Sequence, residues 1–253
     1  MQLTVIGAGP AYTTRLGATG AAYLVRDDET AILFDLGQGS FPRLAGEIEP
    51  SRLDAIVVSH LHPDHFIDLV ALRHYLRYQF TPPRRVRVLA PRGLAERLDA
   101  LHGQPGFAAE SLDCVNLLAG TVSLGGLDVE SRLVTHTDES YGFRVAPRGE
   151  PRSGPLPGLV YSGDCGRADD LLPLIREGDA LLTEVSFGPG PVPPGASHLD
   201  GPAVGELARA GGAGRVLLTH LQMGFDEAAT IASVRRRFDG PVALVSPGMQ
   251  LTV

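Results

Sequence analysis

The chain alternates short apolar runs with longer segments of helical periodicity. The runs are rich in Val, Ile and Leu and are bounded by turn-forming residues, which is typical of buried strands. They predict strands at 3–6, 21–25, 31–36, 53–58, 86–90, 121–124, 127–134, 141–145, 158–161, 181–187, 215–219, 242–245 and 250–253. Apolar residues spaced three and four apart predict helices at 41–49, 66–79, 93–101 and 202–210. Residues 148–157, rich in Pro, Gly and Arg, are predicted to form a surface turn.

Three histidines and one aspartate occupy positions 60 to 65, directly after the strand predicted at 53–58. His60 and His62 lie two apart on an extended segment, so their side chains leave the same face and can bind one cation. Pro63 forces a turn, which places Asp64 and His65 in the first turn of a helix, where they can bind a second cation. Imidazole nitrogen and carboxylate oxygen are ligands that a zinc-like ion accepts. The stretch therefore predicts a metal site.

Composition sets broad limits on the kind of protein. A chain of 253 residues with 43% hydrophobic content can bury a proper core. No run approaches the roughly 18 apolar residues of a membrane span, and no signal peptide is visible at the N-terminus. Two cysteines, Cys114 and Cys165, form no disulfide framework. A reducing, cytoplasmic setting is therefore the expectation.

The motif His60-x-His62-x-Asp64-His65 resembles the signature of the metallo-β-lactamase superfamily of hydrolases. The resemblance can be followed along nearly the whole chain. It implies an αββα sandwich, with a two-metal site at one edge of its paired sheets. We therefore expect residues 1–253 to form a single α/β domain of this four-layer type.

Further residues at the ends of predicted strands complete the metal site that this resemblance implies. His136 follows one strand, Asp164 closes the segment Tyr-Ser-Gly-Asp, and His220 closes Leu-Leu-Thr-His. A bridging carboxylate suits Asp164, because its two oxygens can each bind one cation. The expected ligands are His60, His62 and His136 for the first ion, Asp64, His65 and His220 for the second, and Asp164 for both. Such ligands accept Zn, Mn or Fe, and we favour two zinc ions.

The resemblance also implies residues beside the metals. In the branch that includes tRNA 3′-processing nucleases and related phosphodiesterases, a histidine over the site donates a proton and a glutamate holds it. These roles fall on His198 and Glu184, which we expect to act in catalysis together with Asp64. Asp35 is expected to orient the metal loop by hydrogen bonds. Cys165 stands where the family usually has Thr or Ser, which leaves open altered hydrogen bonding or a soft extra ligand.

The ligand pattern narrows the range of reactions that the resemblance allows. An Asp rather than a Cys at position 164 argues against the penicillin-destroying members, and His62 stands where di-iron members carry a glutamate. Only 27 residues separate His136 from Asp164, too few for the long arm with which tRNA-processing members hold tRNA. We therefore expect a phosphodiesterase for a small substrate, with a 3′,5′-cyclic nucleotide as the leading candidate. A tRNA 3′-endonuclease without the arm, a lactone or ester hydrolase, and a metal-bearing binding protein without catalysis stay open as alternatives.

The charge of the chain bears on its partners. A formal net charge of −7 disfavours long nucleic acid, which usually needs a basic face. The acidic chain nevertheless contains one cluster of basic residues, which consists of Arg73, Arg77, Arg84, Arg85 and Arg87. It fits either a phosphate-steering rim or, preferably, a solvated helix end and loop. Dimers are common in the family, so a homodimer is an open alternative to a monomer, although no stretch identifies an interface.

Overall fold

The computed structural model describes residues 1–149 and 157–253, so most of the turn predicted at 148–157 lies outside the described residues. The described strands are β1 (Gln2–Gly7), β2 (Ala22–Arg26), β3 (Ala31–Phe34), β4 (Ala55–Val57), β5 (Val86–Ala90), β6 (Leu112–Asn116), β7 (Gly120–Leu124), β8 (Leu127–Leu133), β9 (Tyr141–Pro147), β10 (Leu159–Tyr161), β11 (Ala180–Glu184), β12 (Arg215–Thr219), β13 (Val242–Leu244) and β14 (Gln250–Thr252). The described helices are α1 (Phe41–Glu47), α2 (Pro63–Phe66), α3 (Leu69–Tyr78), α4 (Leu94–His102), α5 (Gly201–Gly211) and α6 (Glu227–Arg235).

The strands form two seven-stranded sheets of similar design. The first has the order β14-β1-β2-β3-β4-β5-β6, and the second has the order β13-β12-β11-β10-β9-β8-β7. In the first sheet β1, β2, β3 and β14 pair antiparallel, whereas β3 to β6 pair parallel. In the second sheet β7 to β10 pair antiparallel, whereas β10 to β13 pair parallel. Each sheet therefore has parallel strands whose carboxyl ends can carry a site.

Apolar side chains divide the molecule into four layers. A central core between the two sheets contains Phe34 and Phe143, whose ring centroids are 5.4 Å apart. The outer face of the first sheet is covered by α1, α3 and α4 through residues such as Leu72. The outer face of the second sheet is covered by α5 and α6 through residues such as Val204 and Val234. This arrangement is the αββα sandwich that the sequence predicts.

Two buried tyrosines join the sheets through the central core. The Tyr23 hydroxyl on β2 lies 2.5 Å from Oγ1 of Thr219 at the end of β12. In the opposite sense, the Tyr161 hydroxyl on β10 donates to Oδ2 of Asp35, just after β3, at 2.6 Å. Burial raises the pKa of both phenols, and the charge of Asp35 raises it further, so both remain protonated. These reciprocal hydrogen bonds fix how the sheets lie on each other.

The structure shifts several predicted boundaries. The strand predicted at 31–36 ends at Phe34, because Asp35 adopts a left-handed backbone with φ 58°. The helix predicted at 66–79 is two helices, α2 and α3, separated by Ile67 and Asp68. Strand β6 and helix α6 were not predicted. Within the described residues, no helix combines the length and the apolar character needed to span a bilayer.

The basic cluster is mostly the solvated helix end and loop that the sequence favours, because Arg84, Arg85 and Arg87 are exposed and Arg77 is half-exposed, whereas Arg73 is buried. Arg73 is only 2% exposed; its guanidinium donates to the carbonyl oxygen of Phe107 at 2.8 Å and pairs with Glu110 at 2.6 Å. Arg77 pairs with the same carboxylate at 3.0 Å, and Arg85 pairs with Asp113. Because Arg73, Arg77 and Arg85 already have acidic partners, these three charges offer little to a phosphate backbone.

Candidate metal centre

The motif at 60–65 has the backbone that its sequence predicts. His60 follows β4, and His62, with an extended backbone (ψ 142°), is the N-cap of α2. Pro63 is the first residue of α2, so Asp64 and His65 lie in its first turn, as expected. The motif thus contributes side chains to two sets, His60 and His62 to one and Asp64 and His65 to the other.

The first set contains three imidazoles and a carboxylate. His136 comes from the loop between β8 and β9, and Asp164 from the loop after β10. Nδ1 of His62 lies 3.0 Å from Nε2 of His60 and 3.1 Å from Nε2 of His136. Oδ2 of Asp164 lies 3.7 Å from both of those Nε2 atoms. The four side chains thus converge as one candidate ligand set.

The second set lies on the other side of Asp164. His220, which follows β12, has its Nε2 atom 3.2 Å from Oδ2 of Asp64 and 3.6 Å from Oδ1 of Asp164. Nε2 of His65 lies 3.7 Å from Oδ2 of Asp64 and 3.4 Å from Oδ1 of Asp164. Asp164 therefore presents one oxygen to each set. All seven side chains predicted as ligands lie in this one cluster.

The residues present fit divalent cations. Two buried atoms at the centre of the cluster, Nε2 of His65 and Oδ1 of Asp164, have no hydrogen-bond partner among the described residues. Such atoms are costly unless something satisfies them. Ligands about 2.0–2.1 Å from a tetrahedral ion lie about 3.3 Å from one another, close to the nitrogen–nitrogen distances in the first set. Imidazole and carboxylate together suit zinc, manganese or iron.

Hydrogen bonds at the outer ring nitrogens set the tautomers. Oγ of Ser59 donates to Asp35, so it accepts from Nδ1 of His60 at 3.1 Å. Nδ1 of His65 donates to Asp35 at 2.8 Å, and Nδ1 of His136 donates to a backbone carbonyl, also at 2.8 Å. Each of these histidines therefore carries its proton on Nδ1 and keeps the Nε2 lone pair for a cation.

Ser186 makes the corresponding hydrogen bonds in the second ligand set. Its hydroxyl donates to Oε2 of Glu184, so it accepts from Nδ1 of His220 at 3.0 Å. Neither Ser59 nor Ser186 was given a role from the sequence, nor was Ser197, whose carbonyl binds His136. The available signal was their position, because each lies within two residues of a predicted site residue at a strand end or loop.

Asp35 contacts the metal loop, as expected. Its carboxylate accepts hydrogen bonds from the backbone N–H of Ser59 at 2.7 Å and from Nδ1 of His65 at 2.8 Å. The glycine two residues later allows this approach, because a Cβ atom at Gly37 would collide with the backbone carbonyl of Asp64. The Asp-x-Gly turn and the metal loop therefore form one packed unit.

His198 lies beside the cluster and is held by Glu184. Nδ1 of His198 is 2.9 Å from Oε1 of Glu184 and 3.9 Å from Oδ2 of Asp164. The Glu184 carboxylate is buried and also accepts from the backbone N–H groups of Cys165 and Leu199. Burial lowers the pKa of His198, but the hydrogen bond and charge of Glu184 outweigh it and raise the pKa above its usual value.

Cys165 is not an extra ligand in this arrangement. Its thiol is buried among apolar side chains behind the second sheet and donates to the carbonyl oxygen of Arg167 at 3.1 Å. Burial raises the pKa of this thiol to about 12, which opposes thiolate formation. Its backbone N–H instead helps to hold Glu184.

At His60, His62 and Asp164 the surroundings favour the protonation states that ligation needs. Burial, followed by the charge of His65, lowers the pKa of His60 well below its usual value. Burial and the neighbouring imidazoles also lower the pKa of His62. Burial alone would raise the pKa of Asp164, but His220 and His65 outweigh it and hold the pKa well below its usual range. Neutral imidazoles and an ionised carboxylate are the forms that bind metal. At His65 and His220 burial lowers the pKa, but the charge of Asp164 outweighs it and raises the pKa above its usual value, so a bound cation would have to displace a proton there.

A cleft of about 300 Å³ opens over the cluster. It is lined by residues of the cluster and its surroundings, namely His62, Asp64, Asp164, His198 and His220. The other lining residues are Pro10, Ala11, Tyr12, Pro63 and Gln222. Four of the seven candidate ligands and the candidate proton donor are therefore reachable by a small molecule from solvent.

Known proteins resemble this chain in sequence and in fold. The β-lactamase superfamily domain matches residues 30–221. An uncharacterized protein of Mycobacterium leprae is 32% identical over 265 residues, which cover 96% of this chain and 90% of that protein. The probable metallo-hydrolase YhfI of Bacillus subtilis is 25% identical over 230 residues, 87% of each chain.

Solved structures agree with these sequence matches. The crystal structure of YhfI superposes with a TM-score of 0.84 at 21% identity and covers 99% of both chains. The short form of human tRNase Z superposes with a TM-score of 0.72, also at 21% identity, over 100% of this chain and 99% of its own. The chain therefore belongs to the β-lactamase superfamily, as a metallo-hydrolase of the metallo-β-lactamase fold.

Proposed function

We propose that this metallo-hydrolase is a phosphodiesterase for a small substrate, with a 3′,5′-cyclic nucleotide as the leading candidate. The observation that carries the proposal is the imidazole of His198, held by Glu184 at 2.9 Å beside Asp164 and at the cleft. A phosphodiester leaves as an alkoxide, which needs a proton as the bond breaks. A positioned and readily protonated imidazole is suited to that step.

The roles that we propose for the individual residues follow from their hydrogen bonds and positions. Glu184 occupies Nδ1 of His198, so Nε2 is the atom that carries the transferable proton. His60, His62 and His136 would hold one divalent cation, Asp64, His65 and His220 a second, and Asp164 would bind both. What bound cations supply is Lewis-acid stabilisation of the developing negative charge and a more acidic water. Zinc is the ion that we favour.

A small substrate is supported by the size of the site and by its surroundings. The cleft of about 300 Å³ lies at the lower end of small-molecule pockets. Between His136 and Asp164, the described residues form β9 and β10 and contain no helix that could act as a tRNA-holding arm. The net charge of −7 also disfavours a long polyanion.

The test is turnover of 3′,5′-cyclic AMP by protein reconstituted with zinc or manganese. We expect His198→Ala to lower kcat by about 10²–10⁴-fold while the bound metal, measured by elemental analysis, stays at the wild-type level. Asp164→Ala should abolish turnover and reduce the metal content, because it removes a ligand of both proposed ions.

Three results would contradict the proposal or one of its parts. Metal-loaded protein that leaves cyclic AMP intact would remove the leading substrate, and precursor tRNA and lactones would then be assayed. Equal turnover by wild type and His198→Ala would remove His198 as the proton donor. Bound metal with no turnover of any ester would favour a metal-bearing binding protein.

A further inference from the structure

The wall of the cleft contains a segment with no part in the metal cluster. It belongs to the connection between β1 and β2, and it contributes Pro10, Ala11 and Tyr12. The segment is tied down close to the site. Nε2 of Gln38 donates to the carbonyl oxygen of Pro10 at 3.1 Å, and the carbonyl of Ala8 accepts from the backbone N–H of His220 at 3.0 Å.

Tyr12 is an unusual side chain in this position. Its side chain is 67% exposed, and its ring and hydroxyl have no partner among the described residues. Tyr23 and Tyr161, by contrast, are buried and hydrogen-bonded. An exposed aromatic ring held beside a reaction centre by an anchored loop offers a flat face to a planar group.

Gln222 lines the same cleft, and its side-chain amide is free to hydrogen-bond a ligand. Its backbone N–H donates to the carbonyl of Ser186 at 3.3 Å, which fixes the residue two positions beyond His220. Its side-chain amide makes no hydrogen bond to the described residues. An amide presents one donor group and one acceptor, which matches the edge of a nucleobase such as adenine.

We propose that Tyr12 and Gln222 form a base-binding subsite, in which a purine stacks on the Tyr12 ring and pairs at its edge with the Gln222 amide. The cyclic phosphate of the same molecule would lie over the metal cluster. This subsite rests on the proposed phosphodiesterase function and specifies its substrate class as a nucleotide rather than a plain diester. Tyr12 and Gln222 would then select substrates by affinity.

The size of the effect follows from the two interactions. Stacking of a base on an aromatic side chain corresponds to about a 5- to 100-fold change in affinity. One hydrogen-bonded pair at the base edge corresponds to about a 2- to 10-fold change. Removal of the ring should therefore cost more than removal of the amide.

Binding is measured with the fluorescent base 2-aminopurine, as its riboside 3′,5′-cyclic phosphate, on zinc-loaded protein. All variants carry His198→Ala, so that turnover is slow and is not needed for the result. The chain has no tryptophan, so the probe can be excited selectively. Stacking quenches this base, so quenching on binding reports contact with the ring directly.

We expect Tyr12→Leu to raise Kd about 5- to 100-fold and to abolish quenching, whereas Tyr12→Phe keeps both. Gln222→Leu should keep the quenching and should raise the Kd of cyclic AMP about 2- to 10-fold, measured by its displacement of the probe, because 2-aminopurine lacks the 6-amino group of adenine. Tyr78→Leu is the matched control, because Tyr78 is 66% exposed but does not line the cleft. Its Kd and quenching should equal those of the parent.

No binding to the His198→Ala parent, binding to it without quenching, or equal Kd values for Tyr12→Leu and Tyr78→Leu would overturn the subsite. The outcome is separable from that of the proposed function by assays of protein that retains His198. Cyclic nucleotide that binds and stacks but is not cleaved contradicts the phosphodiesterase and leaves the subsite standing. Cleavage of the cyclic nucleotide together with a Kd that Tyr12→Leu leaves unchanged contradicts the subsite and leaves the phosphodiesterase standing.

Discussion

The smallest parts of the candidate site are serine hydroxyls that set the ring tautomers. Ser59 connects Asp35 to His60 in one half, and Ser186 connects Glu184 to His220 in the other. In each case the carboxylate accepts a hydrogen bond from the hydroxyl, and the hydroxyl oxygen in turn accepts one from the imidazole. Partners of this kind orient the ring and raise the basicity of the nitrogen that faces the cation.

Ser186→Ala is expected to weaken binding of the ion in the His220 set by about 10- to 100-fold. The reason is that Nδ1 of His220 loses its acceptor, and the tautomer with its proton on Nε2 then competes with ligation. Competition with a chromophoric chelator measures the affinity. Ser123→Ala is the control, because that exposed hydroxyl binds only Asp128. Matching affinities in the two variants would show that the Ser186 hydroxyl has no such role.

At the scale of elements, the site depends on how closely two loops approach each other. The turn after β3 lies against α2, and Gly37 packs on the backbone carbonyl of Asp64. The backbone N–H of Ala21 also donates to that carbonyl, at 3.0 Å. A side chain at position 37 would therefore push α2 away from the sheet and move both of its candidate ligands.

Gly37→Ala is expected to lower the free energy of unfolding by about 1–3 kcal/mol, because the added methyl group overpacks the loop contact. Gly46→Ala is the matched control, since Gly46 lies in α1 and a Cβ there meets nothing within 4 Å. The control should be neutral or stabilising by up to about 1 kcal/mol. Urea unfolding of the metal-free proteins measures both, and equal stability of the pair would contradict the packing argument.

Elements with clear patterns could be predicted from the sequence, and those without could not. The seven side chains predicted as ligands converge in one cluster, and they could be proposed because each lies shortly after a predicted strand. Strand β6, with the sequence LDCVN, was missed because its pattern is neither a continuous apolar run nor a strict alternation. The structure shows why, since Asp113, Val115 and Asn116 are all exposed. Helix α6 was missed because its sequence, EAATIASVR, is Ala-rich and only weakly amphipathic. The roles of Ser59 and Ser186 depend on which strands become neighbours, and local pattern does not carry that information.

At the scale of the whole molecule, each proposed ion joins the two sheets. His60 and His62 follow β4 of the first sheet, whereas His136 precedes β9 of the second. Asp64 and His220 are divided between the sheets in the same way. Because unfolded chains lack either set, bound metal would stabilise the assembled sandwich. We propose that the whole chain unfolds as a single domain.

Removal of metal is therefore expected to lower Tm. An ion present at about 100 times its Kd stabilises the folded state by about 2.7 kcal/mol, which is roughly 5–10 °C for a chain of this size. Differential scanning calorimetry with EDTA, followed by added zinc, measures the shift and its reversal. His198→Ala should retain the shift and Asp164→Ala should lose most of it. Two separate transitions would contradict a single domain, and an EDTA-insensitive Tm would contradict a metal held between the sheets.

The reciprocal tyrosine hydrogen bonds between the sheets have a consequence for how the protein acquires its metal. Tyr23 and Tyr161 align the strand ends without help from any ion. The metal-free chain should therefore already be folded. The rate at which it binds zinc should be limited by collision with free zinc and not by folding. In stopped-flow mixing, the loading rate is then proportional to zinc concentration and shows no plateau set by a refolding step. Protein made during metal scarcity would stay competent and gain activity as soon as metal returns.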